Sequence, residues 1–297
     1  MFFVTFVVKK IYVTLCLVWV LLLTSTSSHS AIDIIKHVNS RSDRDQQKTY
    51  YVALLKLAIE KAQHKFGPAS LQSFGTSMVY QRKLMSLNSG KLDVMWAITS
   101  EQRERDLLPI MIPVLKGLIG YRVMVIQDTK QQALTQIIST QQIKNMVAIQ
   151  GIDWVDTDVL LANGFKVETS DWHNSLYKGV SKGHYDYFPR SILEPWAEMQ
   201  KYRFDNLVVE NKHLLYYPAA MYFFVQKDNK ALAQRLEYGL NQAIDDGSFD
   251  KLFYNYPAHQ EALSKGKLSS RVMHKLSNPF LPKTAPLNDK RLWHKLH

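Results

Sequence analysis

The first residues that could do chemistry lie in the polar segment 99–103, directly after the apolar run 92–98. The segment begins with Thr99 and Ser100 and ends at Arg103. A continuous apolar run of this length is typical of a buried strand, and ligands commonly lie beyond the carboxyl ends of such strands. A guanidinium can hold a carboxylate through two parallel hydrogen bonds. We predict that Arg103 binds a carboxylate, with Ser100 and Thr99 beside it. The alternative is a surface arginine in a charged turn.

The second candidate position follows the apolar run 146–150. Gly151 ends this run, and Asp153 and Trp154 lie in the loop behind it. Because this loop also lies at a strand end, we predict that all three residues contact a ligand. The alternative is the start of a helix, in which Asp153 or Asp156 caps the first turn.

Two further candidates lie at strand ends. Trp96, in the run 92–98, could stack on a ligand, although an aromatic residue in a buried strand is commonly part of the core. Arg190 follows Pro189 directly. If Arg190 faces the same cleft as Arg103, two guanidinium groups meet one ligand, which indicates a second anionic group. The alternative for Arg190 is a salt bridge with Glu194.

The sequence contains no motif for metal binding, for a serine nucleophile or for nucleotide binding. The ten histidines show no metal-ligand spacing, and neither a Gly-x-Ser-x-Gly elbow nor a phosphate or dinucleotide loop occurs. We therefore expect no metal and no cofactor. The net charge of +11 favours anionic partners. Because the basic residues are scattered and no nucleic-acid motif appears, we do not expect nucleic acid to be one of them.

The first 30 residues have the pattern of an export signal. Lys9 and Lys10 precede an apolar run over 11–23, and Ser28 and Ser30 are small residues where a signal peptidase could cut. Cys16 is the only cysteine, so a chain cleaved near residue 31 contains none. Export without disulfides predicts a periplasmic protein. The alternative is an uncleaved N-terminal anchor.

Apolar spacing predicts that one alternation of strands and helices occurs twice. The first part has strands at 32–39, 69–74 and 92–98, separated by a helix capped by Asp45 and a helix over 79–88. The second part has a helix over 129–142, strands at 146–150 and 165–168, helices over 156–162 and 174–182, and a strand over 184–188 that Pro189 ends. This order predicts an α/β fold with two lobes, each a sheet flanked by helices, joined by two crossings.

The remaining segments complete this prediction. A return crossing over 208–217 leads to a strand at 220–225 and a helix capped by Asp228 or Asn229. Residues 271–297 are expected to form an extended tail that packs on the surface through Phe280 and Trp293. Each half also contains a helix stop with the pattern Gly-x-x-Asp before a strand, at 90–93 and at 183–186. Duplication and a shared local rule explain this repeat equally well.

The order of these motifs resembles the family 3 periplasmic solute-binding proteins, the amino-acid receptors of ABC importers. Residues 90–93 (Gly-Lys-Leu-Asp) followed by 99–103 (Thr-Ser-Glu-Gln-Arg) resemble the Gly-Lys-Val-Asp and Thr-Pro-Glu-Arg motifs of that family. Residues 150–151 resemble its strand-to-glycine turn in the second lobe, and 222–247 resemble its closing strand and helix. The resemblance covers about residues 32–255.

The resemblance implies a type II periplasmic binding fold that closes on a small solute. It implies a first lobe (31–118 and 212–260) and a second lobe (119–211). The predicted signal peptide (1–30) and a basic tail (261–297), surface-packed or partly disordered, lie outside the resemblance. In that family the arginine matching Arg103 holds the ligand carboxylate, an aromatic residue stacks on the ligand, and an acid of the second lobe takes the amine. Here Arg190 stands about where that acid is expected, which favours an anionic ligand over an ordinary amino acid. Asp153 is then the best remaining candidate for a partner of an amine.

The expected partners are a small carboxylate-bearing ligand and an inner-membrane ABC permease, and the protein is expected to be a monomer without catalytic activity. Two other functions stay open. One is a cyclohexadienyl-dehydratase-like enzyme on the same scaffold, in which a cleft acid such as Glu168, Glu194 or Asp153 protonates a leaving hydroxyl. The other is a module that binds a membrane partner through the basic segment 275–297.

Overall fold

The computed structural model describes residues 32–38, 46–75, 78, 80–171 and 173–295. The predicted signal peptide, residues 1–30, and the predicted cap at Asp45 lie outside these residues. Asp33–His297 forms one compact unit. Among the described residues, no helix combines the length and the apolar character needed to span a bilayer.

The strands are distributed over three sheets in the described part of the chain. The first sheet has the order β2-β1-β3-β11-β4, the second has the order β12-β10-β5-β8 with β9 also paired to β5, and the third contains β6 and β7. The strands are β1 (Asp33–Val38), β2 (Ala69–Phe74), β3 (Val94–Ile98), β4 (Leu107–Ile110), β5 (Tyr121–Gln127), β6 (Val147–Gly151), β7 (Lys166–Ser170), β8 (Phe188–Ser191), β9 (Leu207–Val209), β10 (His213–Tyr216), β11 (Met221–Gln226) and β12 (Val272–Lys275).

Helices pack against these sheets, as the α/β prediction requires. The α-helices are α1 (Gln46–Phe66), α2 (Tyr80–Asn88), α3 (Glu101–Asp106), α4 (Gln131–Thr135), α5 (Thr140–Lys144), α6 (Val155–Ala162), α7 (His173–Ser181), α8 (Pro195–Tyr202), α9 (Lys230–Asp245), α10 (Ser248–Asn255) and α11 (Pro257–Gly266). Short 3-10 turns occur at Leu118–Gly120, Asp128–Lys130, Leu268–Ser270 and Lys290–Leu292.

The first lobe consists of the five-stranded sheet and the helices packed on it. β1 pairs with both β2 and β3 in parallel, whereas β11 runs antiparallel between β3 and β4. The helix α1 buries the apolar stripe predicted from its 3.6-residue spacing, namely Tyr51, Leu54, Leu55, Ala58, Ile59 and Ala62. This stripe packs against α9. Gly239 permits a close approach of the two helices, because an added Cβ would lie 1.8 Å from the carbonyl oxygen of Ala58.

The second lobe contains the other two sheets. β6 and β7 are parallel, and β6 also meets the chain just before β8 through a bridge between Ala148 and Tyr187. β5 lies between β8 and β10 and is antiparallel to both. The two-lobe α/β architecture predicted from the sequence is therefore confirmed.

Two crossings join the lobes side by side. The first leads through Leu118–Gly120 into β5, and the second leaves β10 through Tyr217 and Ala219. The amide of Tyr217 donates to the carbonyl of Gly120 over 3.2 Å. An added Cβ at Gly120 would lie 2.0 Å from the carbonyl oxygen of Tyr217, so only glycine permits this approach.

Three local predictions were wrong in detail. The helix expected over 129–142 is two short helices, because Ser139 and Gln142 form a capping box that starts α5 anew. Pro189 lies inside β8 and does not end the strand. β8 is at the end of its sheet order and needs no second ladder partner at that position, which is where proline is tolerated. The polar segment after β3 is not a simple turn, because Ser100 caps the short helix α3.

The C-terminal residues also contain more regular structure than the extended tail that the sequence indicated. α11 occupies 257–266, and β12 joins the second sheet as a parallel neighbour of β10. The two predicted anchors do pack on the body of the protein, since Phe280 and Trp293 are partly buried against the main core. Parallel pairing with β10 depends on contacts distant in sequence, which apolar spacing alone does not reveal.

Candidate functional site

Arg103 lies on α3, at the carboxyl end of the central strand β3. The Ser100 hydroxyl accepts a hydrogen bond from the backbone N–H of Arg103, which fixes the first turn of the helix. The guanidinium then turns back, and Nη1 donates to the carbonyl of Ile98 over 2.6 Å. Its plane lies over the ring of Tyr80, 4.1 Å from the ring centroid. These contacts hold the guanidinium in one place at the strand end.

The second lobe meets Arg103 at the loop after β6. Nη2 of Arg103 lies 3.5 Å from the carbonyl oxygen of Asp153, at the outer limit of a hydrogen bond. Burial lowers the pKa of Arg103, and the nearby Tyr80, Asp156 and Asp153 partly oppose that effect. Arginine stays charged at any physiological pH. The described arrangement therefore has a fixed, partly desolvated cation between the lobes.

Thr99 and Ser100 support this cation from the first lobe. The Thr99 hydroxyl is fully buried and donates to the Glu104 carboxylate over 2.6 Å. The Ser100 oxygen already serves as the helix cap. Both predicted hydroxyl residues therefore lie beside Arg103, where they position α3, and a direct contact with ligand stays a prediction.

Gly151, Asp153 and Trp154 form the facing loop of the second lobe. Trp154 folds back over Gly151, where an added Cβ would lie 2.3 Å from the indole ring. The Thr157 hydroxyl donates to the Gly151 carbonyl over 2.6 Å, which fixes the turn into α6. The Asp153 carbonyl faces Arg103. The structure thus brings this loop to Arg103, and an amine contact through the Asp153 carboxylate stays a prediction.

The guanidinium of Arg190 forms ion pairs with two carboxylates. Its Nε and Nη2 atoms donate to the two oxygens of Glu198 over 2.8 and 2.7 Å, and Nη2 lies 3.0 Å from Glu194. The ion pair with Glu194 that was the alternative for this residue is therefore present, and Glu198 adds a partner that the sequence analysis missed. The guanidinium also lies 5.0 Å from the Trp154 ring centroid. Because its charge is already balanced, Arg190 is not included in the site proposed below.

Burial affects the pKa of both Arg190 and Glu194. Burial raises the pKa of Glu194, and the positive charge of Arg190 opposes that rise. For Arg190, burial lowers the pKa, but Glu194 and Glu198 outweigh it and the pKa is raised. The sequence analysis predicted a second anionic group on the ligand if both Arg103 and Arg190 face it. Because Arg190 is paired with Glu194 and Glu198, that prediction is no longer supported.

Trp96 belongs to the core of the first lobe. Its side chain is 7% exposed. The ring stacks on Tyr51 with 5.0 Å between centroids, and it meets Phe223 edge-on at 6.4 Å. A position in the core, which was the alternative for Trp96, explains all of these contacts. Trp96 is therefore not included in the proposed site.

A buried cluster connects the facing loop to both crossings, and the sequence analysis missed it. The Tyr217 hydroxyl donates to the Asp156 carboxylate over 2.5 Å, and the other Asp156 oxygen lies 3.4 Å from Nη2 of Arg122. All three residues are almost fully buried. Burial lowers the pKa of Arg122, but Asp156 and its other neighbours outweigh that effect and raise it. Asp156, considered only as a helix cap, therefore joins β5, α6 and the second crossing.

A groove also lies away from Arg103, in the first lobe. It has a volume of about 480 Å³ and lies between α1 and α10. It is lined by Ala53, Lys56, Leu57, Glu60, Ser248, Lys251, Leu252, Asn255 and Tyr256. None of these residues is at a strand end, so we place the candidate site at Arg103. Among the described residues, no three His, Cys, Asp or Glu side chains are grouped to hold a metal ion.

Comparison with known proteins gives matches in structure alone. No family model and no curated protein matches the sequence. A histidine kinase sensor domain with similarity to periplasmic binding proteins matches with a TM-score of 0.56 and 14% identity, over 76% of this chain and 96% of that chain. An ancestral arginine-binding protein bound to arginine matches with a TM-score of 0.56 and 15% identity, over 75% of this chain and 98% of that chain.

A third match comes from a study of glutathione import in Streptococcus mutans through GshT and the cystine ABC importer TcyBC. Its TM-score is 0.52 at 14% identity, over 76% of this chain and 95% of that chain. The chain has the fold of the periplasmic binding proteins. The type II periplasmic binding fold that the sequence resemblance implied is thus confirmed, and identities this low establish the fold without the family's ligand or role.

Proposed function

We propose that this chain is a solute-binding protein that holds a small carboxylate-bearing ligand between its lobes, with Arg103 as the carboxylate donor. In this proposal the chain is exported to the periplasm after removal of residues 1–30 and delivers its ligand to an inner-membrane ABC permease. It acts as a monomer, with one lobe built on the sheet of β1 to β4 and β11 and the other on the sheets that contain β5 to β10 and β12. The lobe boundary predicted at 212 falls after β10 instead, because β10 pairs with β5.

The observation that carries this proposal is the position of the Arg103 guanidinium. It is held by the Ile98 carbonyl and the Tyr80 ring on one lobe and faces the Asp153 carbonyl on the other. A carboxylate that entered between the lobes could replace the long contact with Asp153 by charge-assisted hydrogen bonds. Because the cation is already oriented, binding requires little reorganisation of the side chain.

The solved structures support the same class of function. They include an arginine-binding protein, a histidine kinase sensor domain and a protein of glutathione import. Capture for uptake is the simplest role for an exported protein of this fold. Sensing is the second candidate, because one of the similar structures is a histidine kinase sensor domain.

The proposal is tested by substitution of Arg103. The ligand is first identified by native mass spectrometry of the freshly purified protein, and by calorimetry with a panel of amino acids and small carboxylates. Arg103→Ala is expected to weaken binding of that ligand by about 2–4 kcal/mol, which is about 30- to 1,000-fold in affinity. Loss of the Ile98 and Tyr80 contacts is expected to cost about 1 kcal/mol of stability.

Arg105→Ala is the matched control. Arg105 lies on the same helix but is exposed, and it contacts only Gln102 and Glu101 in the described chain. Its substitution is expected to leave affinity unchanged. Equal affinities of Arg103→Ala and the unaltered protein would show that the carboxylate is held elsewhere. Turnover of prephenate or arogenate by the purified protein would instead support the dehydratase alternative.

A further inference from the structure

The chain crosses between the lobes again after α10. The helix α11 begins in the first lobe, where the rings of His259 and Tyr50 lie 4.3 Å apart. It ends in the second lobe at Gly266, where an added Cβ would lie 2.5 Å from Cδ1 of Ile192. α11 is therefore a third connection between the lobes, beyond the two crossings that lead into β5 and out of β10.

Behind α11 the chain is fastened to the second lobe by a strand. β12 pairs in parallel with β10, and the amides of Val272 and Leu276 extend this ladder with bonds of 2.7 Å at each end. The buried guanidinium of Arg271 donates to the carbonyls of Gly266, Glu210 and His213. It therefore ties the end of α11 to the start of β10.

Two histidines add a chain of side-chain hydrogen bonds to this strand. His213 on β10 and His274 on β12 meet through Nδ1 and Nε2 at 2.9 Å. The outer nitrogens bond to the Leu134 carbonyl and to the Thr140 hydroxyl. Because the Leu134 carbonyl can only accept, Nε2 of His213 donates to it. This arrangement joins β12 to the segment around α4 and α5.

The chain next returns to the first lobe along the crossings. Ser277 exchanges hydrogen bonds with Asn163 at the end of α6, still in the second lobe. The Asn278 amide donates to the carbonyl of Pro218 in the second crossing over 2.8 Å. The Thr284 hydroxyl lies 3.3 Å from the Glu104 carboxylate, on the helix that carries Arg103. This return is a fourth connection.

The last described residues are fastened beside the first crossing. The ring of Trp293 covers Gly117, where an added Cβ would lie 2.3 Å from it. The amide of His294 donates to the carbonyl of Lys116 over 2.8 Å, and the buried Lys116 ammonium donates to the carbonyl of Arg291 over 2.8 Å. Both ends of this return are thus held by hydrogen bonds.

We propose that residues 257–295, which we call the C-terminal strap, limit how far the two lobes can open. When the lobes open, the second lobe moves away from the first. Gly266 and β12 are fastened to the second lobe, so they move away from the start of α11 and from the last described residues of the strap, which are fastened to the first lobe. Two crossings alone leave a hinge free to rotate, whereas four connections at different positions oppose rotation about any one axis.

The test is a distance measurement across the lobes of the ligand-free protein, so its result does not depend on the identity of the ligand. Spin labels are placed at Met85→Cys in α2 and Lys178→Cys in α7, both exposed, with Cys16→Ser to remove the native cysteine. Pulsed electron resonance is expected to give one narrow distance distribution. The combined Asn278→Ala and Trp293→Ala substitutions are expected to broaden it toward longer distances.

Leu287→Ala is the matched control, because Leu287 lies in the same strap with its side chain 49% exposed. It is expected to leave the distribution unchanged. A double variant with a folded circular dichroism spectrum and the distance distribution of the parent would overturn the proposal.

Hydrogen exchange of the unaltered chain gives a second, independent measurement that needs no variant. The amides of Val272, Leu276 and His294 are expected to exchange as slowly as those of β10, because each has a backbone acceptor. Exchange of these three amides at the rate of an unstructured peptide would show that the strap is not fastened, and the proposal would then be wrong.

Discussion

The ion pair between Asp156 and Arg122 allows a sharp prediction about stability. Asp156→Asn keeps the size of the side chain and one oxygen for the Tyr217 hydroxyl, but it removes the negative charge 3.4 Å from Arg122. Within the described residues, the acceptors that remain for Arg122 are then the carbonyls of Ile119 and Pro189, at 3.1 and 3.3 Å. A buried charge that loses its partner costs about 3–5 kcal/mol.

We expect the lower end of this range, about 3 kcal/mol, because Glu194 still acts on Arg122. This is about a 150-fold increase in the ratio of unfolded to folded protein. The assay is urea denaturation at pH 7, followed by circular dichroism, with the slope of the transition expected to stay unchanged.

Asp158→Asn is the control for this prediction. Asp158 lies two residues further along α6 and is exposed, so its substitution is expected to cost less than about 0.5 kcal/mol. If the two variants have equal free energies of unfolding, the charge of Asp156 does not stabilise the junction of the crossings. Combination with Arg122→Met is expected to recover part of the loss, because no unpaired cation remains.

Two further predictions concern the core. Burial lowers the pKa of His259 from 6.5 to about 4. Between these pH values the unfolded state binds more protons than the folded state, so the free energy of unfolding is expected to fall by about 3 kcal/mol as the pH drops from 6.5 to 4. His259→Gln should flatten this part of the urea-stability profile while the exposed His64→Gln does not. Gly239→Ala is expected to cost about 3 kcal/mol, because the new methyl group meets the backbone of Ala58. Gly164→Ala, which has open space but a φ of +78°, is expected to cost about 1 kcal/mol, and equal losses in thermal melts would contradict the packing argument.

Much of the fold could be predicted because the decisive signals are local. The strand Ala69–Phe74 has the predicted bounds, and Asn229 caps α9 as one of two predicted candidates. The apolar stripe of α1 is buried as its spacing indicated. The elements that differ are those fixed by distant residues, since β12 needs β10 as its partner and Pro189 is tolerated only because of where β8 lies in its sheet.

Some residues of the candidate site could likewise be predicted from the sequence, and others could not. Arg103 and the loop at Asp153 could be brought together from sequence, because the carboxyl ends of strands in two facing lobes point toward a shared cleft. The Tyr80 ring beneath the guanidinium and the Glu198 partner of Arg190 could not be predicted, whereas Glu194 was. Glu198 lies eight residues beyond Arg190, and it reaches the guanidinium only because the chain turns into α8 after β8.

The repeated Gly-x-x-Asp pattern shows how a local rule can position both halves of the site. Gly90 and Gly183 end their helices with φ of +69° and +75°. Asp93 then accepts the amide of Lys36 on β1 over 2.7 Å, and Asp186 accepts the amide of Val147 on β6 over 2.8 Å. In each lobe the aspartate therefore ties the next strand to the edge of its neighbour. A common bonding requirement is sufficient to explain the repeat, so duplication is not needed. The same requirement orients β3, which leads to Arg103, and holds β6, which leads to the facing loop.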